Sequence, residues 1–274
     1  MKSFLSGFLL LLTTGILSAQ SDSISFGKAF SNKGTFYIAW GYNKDWYTKT
    51  DVHVHDDVNH TMDFTLYDMT ARDHPQWQDI LRVQPSIPQY GYRVGWWMPN
   101  GKFGIELNFD HAKYIVNDWQ KVHLNGTIFG ENYNTDTIVN PDHFLHLEHT
   151  DGANFLMANV MFRHQLIRAK HIQSYWIIKA GGGIVIPRSD VTLFGQRWNH
   201  CFHVAGQVAG VETGFRTEFY RYFFLETTFK GAYANYPNVL AINNVLISHR
   251  FGAAMAEIHF GFQFPVGVYK GWLK

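Results

Sequence analysis

One stretch, residues 87–116, limits what this chain can fold into more than any other. On either side of a Pro99-Asn100-Gly101 turn, large apolar residues alternate with mostly small or polar ones. In the first run the large apolar positions are Tyr90, Tyr92, Val94, Trp96 and Met98. In the second run they are Phe103, Ile105, Leu107 and Phe109. Alternation with a period of two predicts two β-strands, and the short turn containing Asn-Gly predicts that they form a hairpin.

The second face of this hairpin lacks the composition of a water-facing surface. It carries glycines and one pair of opposite charges, Arg93 and Glu106, whereas the first face is almost entirely aromatic and aliphatic. Apolar side chains outside and a small polar interior are typical of strands in a membrane-spanning β-barrel.

The same alternation recurs along the chain and predicts six further strands. They lie at 34–47, 149–165, 172–186, 203–219, 223–234 and 251–264. Short turns alternate with long polar loops, which lie at 48–86, 117–146, 187–202 and 235–249. We therefore predict an all-β fold, an eight-stranded antiparallel transmembrane β-barrel with long extracellular loops and short periplasmic turns. A soluble β-sandwich or lipocalin-like barrel is the alternative, but it would turn its apolar faces inward and its charges outward.

The N-terminal residues are predicted to form a secretory signal peptide. Residues 1–19 combine a positive Lys2, an apolar stretch and a cleavage site of small residues. We expect a periplasmic lead-in at 20–33 and the barrel at 34–274, in the outer membrane of a Gram-negative bacterium. After residue 19 the sequence contains no run of about 18 apolar residues, so it predicts no membrane-spanning helix in the rest of the chain. The formal net charge of +1 gives no reason to expect a nucleic-acid partner.

Charged residues on the inner faces predict a network inside the barrel. Its expected members are Arg93, Glu106, Lys179, Glu212, Glu226, Lys230 and Glu257, with His259 on the same side. A barrel of about eight strands is just wide enough to be filled by side chains, and buried charges need partners. We therefore expect a salt-bridged, filled interior. A narrow ion or proton path along the carboxylates is the alternative.

Histidine and aspartate residues cluster in the predicted external loops. His53, His55 and Asp57 form one cluster, and His146 and His149 belong to a second. Imidazole and carboxylate groups are good transition-metal ligands, and alternate residues of a strand share one face. These five residues are therefore candidate metal ligands, although loops of this composition are usually only solvated. No cofactor is predicted.

The chain also carries residue types that act in lipid hydrolysis or acyl transfer. Some eight-stranded outer-membrane barrels modify lipid A with His, Ser or Asp near the external leaflet. Residues of these types occur here near predicted external strand ends: Ser189, Asp190, His203, Ser248 and His249. No spaced signature such as Gly-x-Ser-x-Gly is present. We therefore assign no catalytic residues and expect a protein that is not an enzyme.

Several phrases of the sequence resemble a family of outer-membrane β-barrel proteins from Bacteroidetes-type bacteria. They lie at 37–47, 63–72, 87–95, 110–116, 148–154 and 187–195 and are spread over most of the predicted barrel. The resemblance implies an outer-membrane location and a barrel fold, and it brings no catalytic residue set with it.

The expected function is that of a structural or binding protein, or of an accessory subunit of an outer-membrane complex. A lipid A-modifying enzyme and a narrow pore or transporter are the alternatives. The expected partners are outer-membrane lipids, lipopolysaccharide and other outer-membrane proteins, with no nucleic acid.

Overall fold

A computed structural model describes residues 30–74, 89–149, 151–242 and 244–269. The predicted signal peptide at 1–19 and most of the predicted lead-in at 20–33 lie outside the described residues. Within the described part the regular structure is all β. No helix there is long and apolar enough to cross a membrane.

The described residues form strands of very different lengths. In chain order they are β1 (Phe30–Tyr47), β2 (Thr50–Asp56), β3 (Met62–Met69), β4 (Ala71–Arg72), β5 (Tyr90–Trp97), β6 (Phe103–Asp110), β7 (Tyr114–Val116), β8 (Lys121–Ile128), β9 (Glu131–Ile138), β10 (Leu145–His149), β11 (Phe155–Arg168), β12 (Ile172–Val185), β13 (Asp190–Leu193), β14 (Gln196–Asn199), β15 (Gly206–Phe219), β16 (Phe223–Leu240) and β17 (Val245–Tyr269).

Eight of these strands close into a barrel. The order of neighbours is β1-β5-β6-β11-β12-β15-β16-β17, and β17 pairs back with β1. Every pair in this ring is antiparallel. Because the ring is closed, no barrel strand leaves an unpaired backbone edge in the membrane. The predicted all-β fold with an eight-stranded antiparallel barrel is confirmed.

The barrel is apolar outside and polar inside. Alternate residues such as Val160 (66% exposed), Val211 (61%), Leu107, Phe229 and Phe260 point outward, whereas their neighbours in sequence are buried. A closed antiparallel sheet with this outer band is built to contact lipid, as in barrels of the bacterial outer membrane. The chain is thus an outer-membrane barrel, with its short turns on the periplasmic side.

In the residues that the structure describes, the long external connections contain further paired strands. β2, β3, β8 and β9 continue the barrel sheet outward, because residues 245–249 of β17 pair with β2. A second sheet has the order β14-β13-β10-β7-β4. Buried apolar residues of both sheets, among them Val52, Phe64, Leu147 and Val191, belong to one core. We call this two-sheet structure the external sandwich.

The prediction of a fourth long loop at 235–249 is wrong, because the two flanking strands extend into this range. β16 extends to Leu240 and β17 begins at Val245, so most of the predicted loop is strand. Pro237 and Asn238 favour a loop in the sequence, but the pairing register shifts between Tyr236 and Val239. Such an irregularity lets a strand accommodate a proline that cannot donate a ladder hydrogen bond.

Candidate functional site

The barrel interior brings the seven predicted network residues together. Arg93, Glu106, Lys179, Glu212, Glu226, Lys230 and Glu257 are each 5% exposed or less. They come from β5, β6, β12, β15, β16 and β17, and in each strand they occupy the positions between the outward apolar residues. The period of the strands therefore places all of these charges in one enclosed space.

Glu212 lies between three cations of this network. Its carboxylate oxygens are 3.1 Å from Arg93 Nη1, 3.2 Å from Lys179 Nζ and 3.5 Å from Lys230 Nζ. A buried carboxylate is stable only when its lost hydration is replaced by opposite charge and hydrogen bonds. The contacts from three different strands supply that replacement.

Arg93 joins β5 to the last strand of the barrel. Its Nη1 donates to Glu106 Oε1 at 2.9 Å, and its Nη2 contacts Glu257. Its Nε donates to Nε2 of His259 at 3.1 Å. A guanidinium group has donors only, so this ring nitrogen is the acceptor and the His259 proton lies on Nδ1.

The two lysines complete the network from opposite sides. Lys179 Nζ lies 2.9 Å from Glu106 Oε2 and 2.6 Å from Glu226 Oε1. Lys230 Nζ lies 2.5 Å from Asp110 Oδ2 and 3.2 Å from Glu257 Oε1. Each of these two lysines thus contacts at least two carboxylates, and neither is exposed to solvent.

Four further buried charges are missing from the predicted network: Asp110, Arg163, Arg216 and Glu218. Arg216 donates to Glu226 and Glu218 at 3.1 Å, and Arg163 Nη1 donates to Glu218 at 2.7 Å. The alternation of the sequence could have identified Arg216 and Glu218, because positions 212, 214, 216 and 218 of β15 share one face. With these additions the salt-bridged network holds five Lys or Arg cations and six carboxylates, and a further buried carboxylate, Asp45 of β1, accepts from Gln89 at 2.9 Å.

Aromatic rings close the interior below these arginines. The guanidinium carbon of Arg216 lies 3.4 Å from the ring centre of Phe224 and 4.5 Å from that of Tyr37. Arg163 lies 4.5 Å from the ring centre of Trp97. Cations over aromatic faces gain electrostatic stabilisation when water is excluded. The rings pack around these arginines near the periplasmic turns, where Arg163 Nε donates to the carbonyl oxygen of Gly101 at 2.6 Å.

Inward glycines make room for the large interior side chains. A Cβ atom at Gly95 would lie 2.3 Å from the Tyr37 ring, and one at Gly261 would lie 2.1 Å from the Phe224 ring. The Tyr37 hydroxyl, held in this space, donates to Glu106 Oε2 at 2.5 Å. The glycines on the inner face thus allow a barrel of this size to be filled.

An apolar layer covers the network on the external side. Phe155, Met157, Phe251 and Met255 are buried there and belong to the same core as the external sandwich. Among the described residues, the interior therefore contains aromatic rings near the periplasmic end, a paired charge network, and buried apolar residues on the external side.

The candidate metal ligands do not gather in one place. The His53 and His55 rings stack with centres 4.9 Å apart, and Asp57 is 3.6 Å from His55. His146 and His149 lie on β10 in the other sheet. Within the described ranges, no group of three or more His, Cys, Asp or Glu side chains is arranged to hold a metal ion. Metal binding stays a prediction, tested by measuring zinc, copper or nickel on the purified protein before and after His53→Ala/His55→Ala.

Of the candidate hydrolytic residues, the structure brings together Ser189 and His249, through His149. Ser189 Oγ lies 2.8 Å from His149 Nδ1, and His149 Nε2 lies 3.1 Å from His249 Nε2. All three side chains are buried. Asp190 instead contacts Arg197. The Ser-His chain is therefore enclosed, and no carboxylate of the described ranges contacts it.

Three histidines of the external sandwich have shifted pKa values, two lowered and one raised. Burial lowers the pKa of His249 to about 3, and burial together with the neighbouring His249 lowers that of His149. Hydrogen bonds that His146 donates to the carboxylates of Glu148 and Asp118 raise the pKa of His146 to about 9. At neutral pH the buried pair is neutral, whereas His146 carries a charge.

Solved structures similar to this chain are outer-membrane proteins. Ail of Yersinia pestis, in complex with the heparin analogue sucrose octasulfate, is 12% identical, with 85% of this chain and 99% of that chain covered and a TM-score of 0.32. The N-terminal β-barrel domain of Pseudomonas aeruginosa OprF is 11% identical, with 85% and 98% covered and a TM-score of 0.33. AlkL in DMPC bilayers is 6% identical, with 88% and 94% covered and a TM-score of 0.37.

No protein-family model and no curated protein matches the chain. With TM-scores below 0.5, the assignment as a barrel rests on the strand order and the burial pattern described above.

Proposed function

We propose that this chain is a non-enzymatic outer-membrane protein in which a sealed barrel carries an external binding or structural domain. The observation that carries the proposal is the filled interior, in which every Lys and Arg of the network contacts carboxylates. Moving an ion through it would require separating paired charges in a medium of low dielectric constant. The network therefore acts as a polar core that stabilises the barrel.

The external sandwich is the part of the molecule available to partners. Its first sheet is a direct continuation of the barrel sheet, so it is held in a fixed orientation above the membrane. Binding residues are commonly presented by external segments on a rigid scaffold. We assign the structural or binding role, or the role of an accessory subunit in a larger outer-membrane complex, to this domain. Lipopolysaccharide and other outer-membrane proteins are the partners that its position favours.

Membership in the Bacteroidetes-type barrel family is part of the same proposal. Four of the resembling phrases, 63–72, 110–116, 148–154 and 187–195, overlap strands of the external sandwich. A family resemblance concentrated partly in this domain agrees with a role outside the membrane.

Conductance of the purified protein in planar lipid bilayers tests the sealed barrel. We expect no discrete channel events at either polarity. Steady single-channel steps from the wild-type protein would contradict the proposal and favour the pore or transporter. As a positive control, removing the charges of Arg93 and Lys179 together should weaken the seal and produce irregular leak.

A lipid A-modifying enzyme is the second candidate, and the contact between Ser189 and His149 is the observation that favours it. Mass spectra of lipid A from a deletion strain separate the two functions. We expect no acyl chain to be lost or gained relative to the wild type. A change restored by the wild-type gene but not by Ser189→Ala would establish the enzyme instead.

A further inference from the structure

In the part of the chain that the structure describes, the exposed charged residues at the periplasmic end of the barrel are Lys and Arg. These residues are Lys33, Lys102, Arg168, Lys170 and Arg221, which we call the basic rim. Among the described residues at this end, the carboxylate is Glu218, which is buried inside the barrel against Arg163 and Arg216. Among the described residues of this end, no carboxylate is exposed at the surface.

The external end has a different distribution of charge. There exposed acids such as Asp63, Glu131 and Asp136 are mixed with exposed cations, and Lys121 Nζ lies 2.9 Å from Asp136. The overall net charge of +1 hides this difference between the two ends. The rim is thus a local feature and does not reflect a generally basic surface.

Aromatic and aliphatic side chains directly adjoin the cations of the rim. Tyr220 and Tyr222 are 63% and 55% exposed on either side of Arg221, and Ile167 precedes Arg168 and is 56% exposed. Tyrosine rings are enriched at the level of lipid headgroups. Lys and Arg stems lie along apolar surface while their charges reach the aqueous boundary. This combination places the positive charges where the bilayer meets water.

The turn between β15 and β16 departs from ordinary turn chemistry. Tyr220 has φ = 50° and Arg221 has φ = 71°. Two successive residues with positive φ favour Asn and Gly, because larger side chains are strained there. Here an aromatic residue and a cation occupy both positions. Non-glycine residues in strained backbone conformations occur more often at functional surfaces.

From these observations we infer that the basic rim binds the phosphate groups of anionic phospholipids in the inner leaflet of the outer membrane. The inference is separate from the proposed function, which concerns the interior and the external sandwich. An acidic periplasmic protein would also be attracted by the charge. The exposed tyrosine and isoleucine side chains favour the lipid surface, because they need an apolar neighbour as well as a negative one.

The test compares two variants with the same change of charge. The rim variant is Lys102→Gln/Arg168→Gln/Lys170→Gln, and the control variant is Lys49→Gln/Arg72→Gln/Lys121→Gln at the external end, where all three residues are also exposed. Full-length protein is reconstituted in phosphatidylcholine bilayers, and the association of spin-labelled phosphatidylglycerol is measured relative to spin-labelled phosphatidylcholine. Heat-modifiable gel mobility shows that each variant is folded.

We expect the wild type and the control variant to prefer phosphatidylglycerol, and we expect added salt to weaken the preference. Each cation near an anionic lipid surface contributes roughly a fivefold effect. The folded rim variant should therefore lose most of the preference. Equal preference in the rim and control variants, or no preference in the wild type, overturns the inference. Binding of an acidic protein to the rim without selectivity for phosphatidylglycerol would also overturn it.

Discussion

Acidification should open the external sandwich and leave the barrel intact. His149 and His249 face each other in an apolar core, with 3.1 Å between their Nε2 atoms. Tyr236 stacks on both rings, at centre distances of 5.3 and 4.9 Å. Neither histidine has a carboxylate within contact distance among the described residues. A proton added to either ring would create a buried cation without a partner.

The magnitude follows from the shift of His249. Its pKa of about 3 in the folded state compares with about 6.5 for an exposed histidine, so the opened state binds more protons between these values. Stability is therefore fully present above pH 6.5 and is lost as the pH falls toward 3. At pH 5 the loss from His249 alone is about 2 kcal/mol, which favours opening by roughly thirtyfold. The lowered pKa of His149 acts in the same direction.

Hydrogen exchange at pH 7.5 and pH 5.0 measures this effect strand by strand, after correction for the intrinsic pH dependence of exchange. We expect protection to fall in β2, β3 and β10 at pH 5.0. Barrel strands β6 and β12, measured in the same sample, serve as the internal reference. His249→Phe removes one titrating ring and keeps an aromatic side chain beside Tyr236, so it should reduce the dependence on pH.

Two results would refute this reasoning. One is equal protection of the external strands at the two pH values. The other is an undiminished loss at pH 5.0 in the His249→Phe variant. Either would mean that the buried pair does not control the opening of the external sandwich.

Three other changes have expected outcomes. Lys179→Met leaves three buried carboxylates short of a cation and should cost about 3–5 kcal/mol, seen as a lower temperature for the shift in gel mobility, whereas exposed Lys102→Met should have little effect. Gly95→Ala places a Cβ 2.3 Å from the Tyr37 ring and should cost about 1–3 kcal/mol, whereas a matched alanine at Gly231, which has no atom within 4 Å, should be neutral. His146→Gln should destabilise the external sandwich by about 1–2 kcal/mol at pH 7. That contribution is complete below pH 6.5 and disappears as the pH rises through about 9, so the variant and wild type should converge above it in proteolysis rates.

The barrel was predictable because its two faces differ in composition at every second residue. The apolar outer positions and the charged or glycine inner positions of β5 and β6 follow from the same alternation. Network residues were found where one charge stood among glycines, as at Glu212. Arg216 and Glu218 have the same parity on β15 but lie next to the predicted turn, so the pattern alone did not include them in the network.

The external sandwich was not predicted because its outward residues are typical of loops. In β2, Val52 and Val54 are buried and alternate with His53 and His55, but the surrounding aspartates favour a loop. The pairing partners of β2 and β10 are also distant in sequence. The contact between His149 and His249 joins residues 100 positions apart, and no local period indicates it.

The pairing of β2 with β17 has a consequence for the order of assembly. Thr50 Oγ1 donates to the carbonyl oxygen of Arg250, 200 residues later in the chain, and the same β17 closes the barrel against β1. Contacts between such distant segments form late, because loop closure must precede them. The external domain therefore cannot mature ahead of the membrane part. β17 closes the barrel and also joins it to β2, so a chain that stops before β17 leaves the barrel open and the first sheet of the external sandwich unattached.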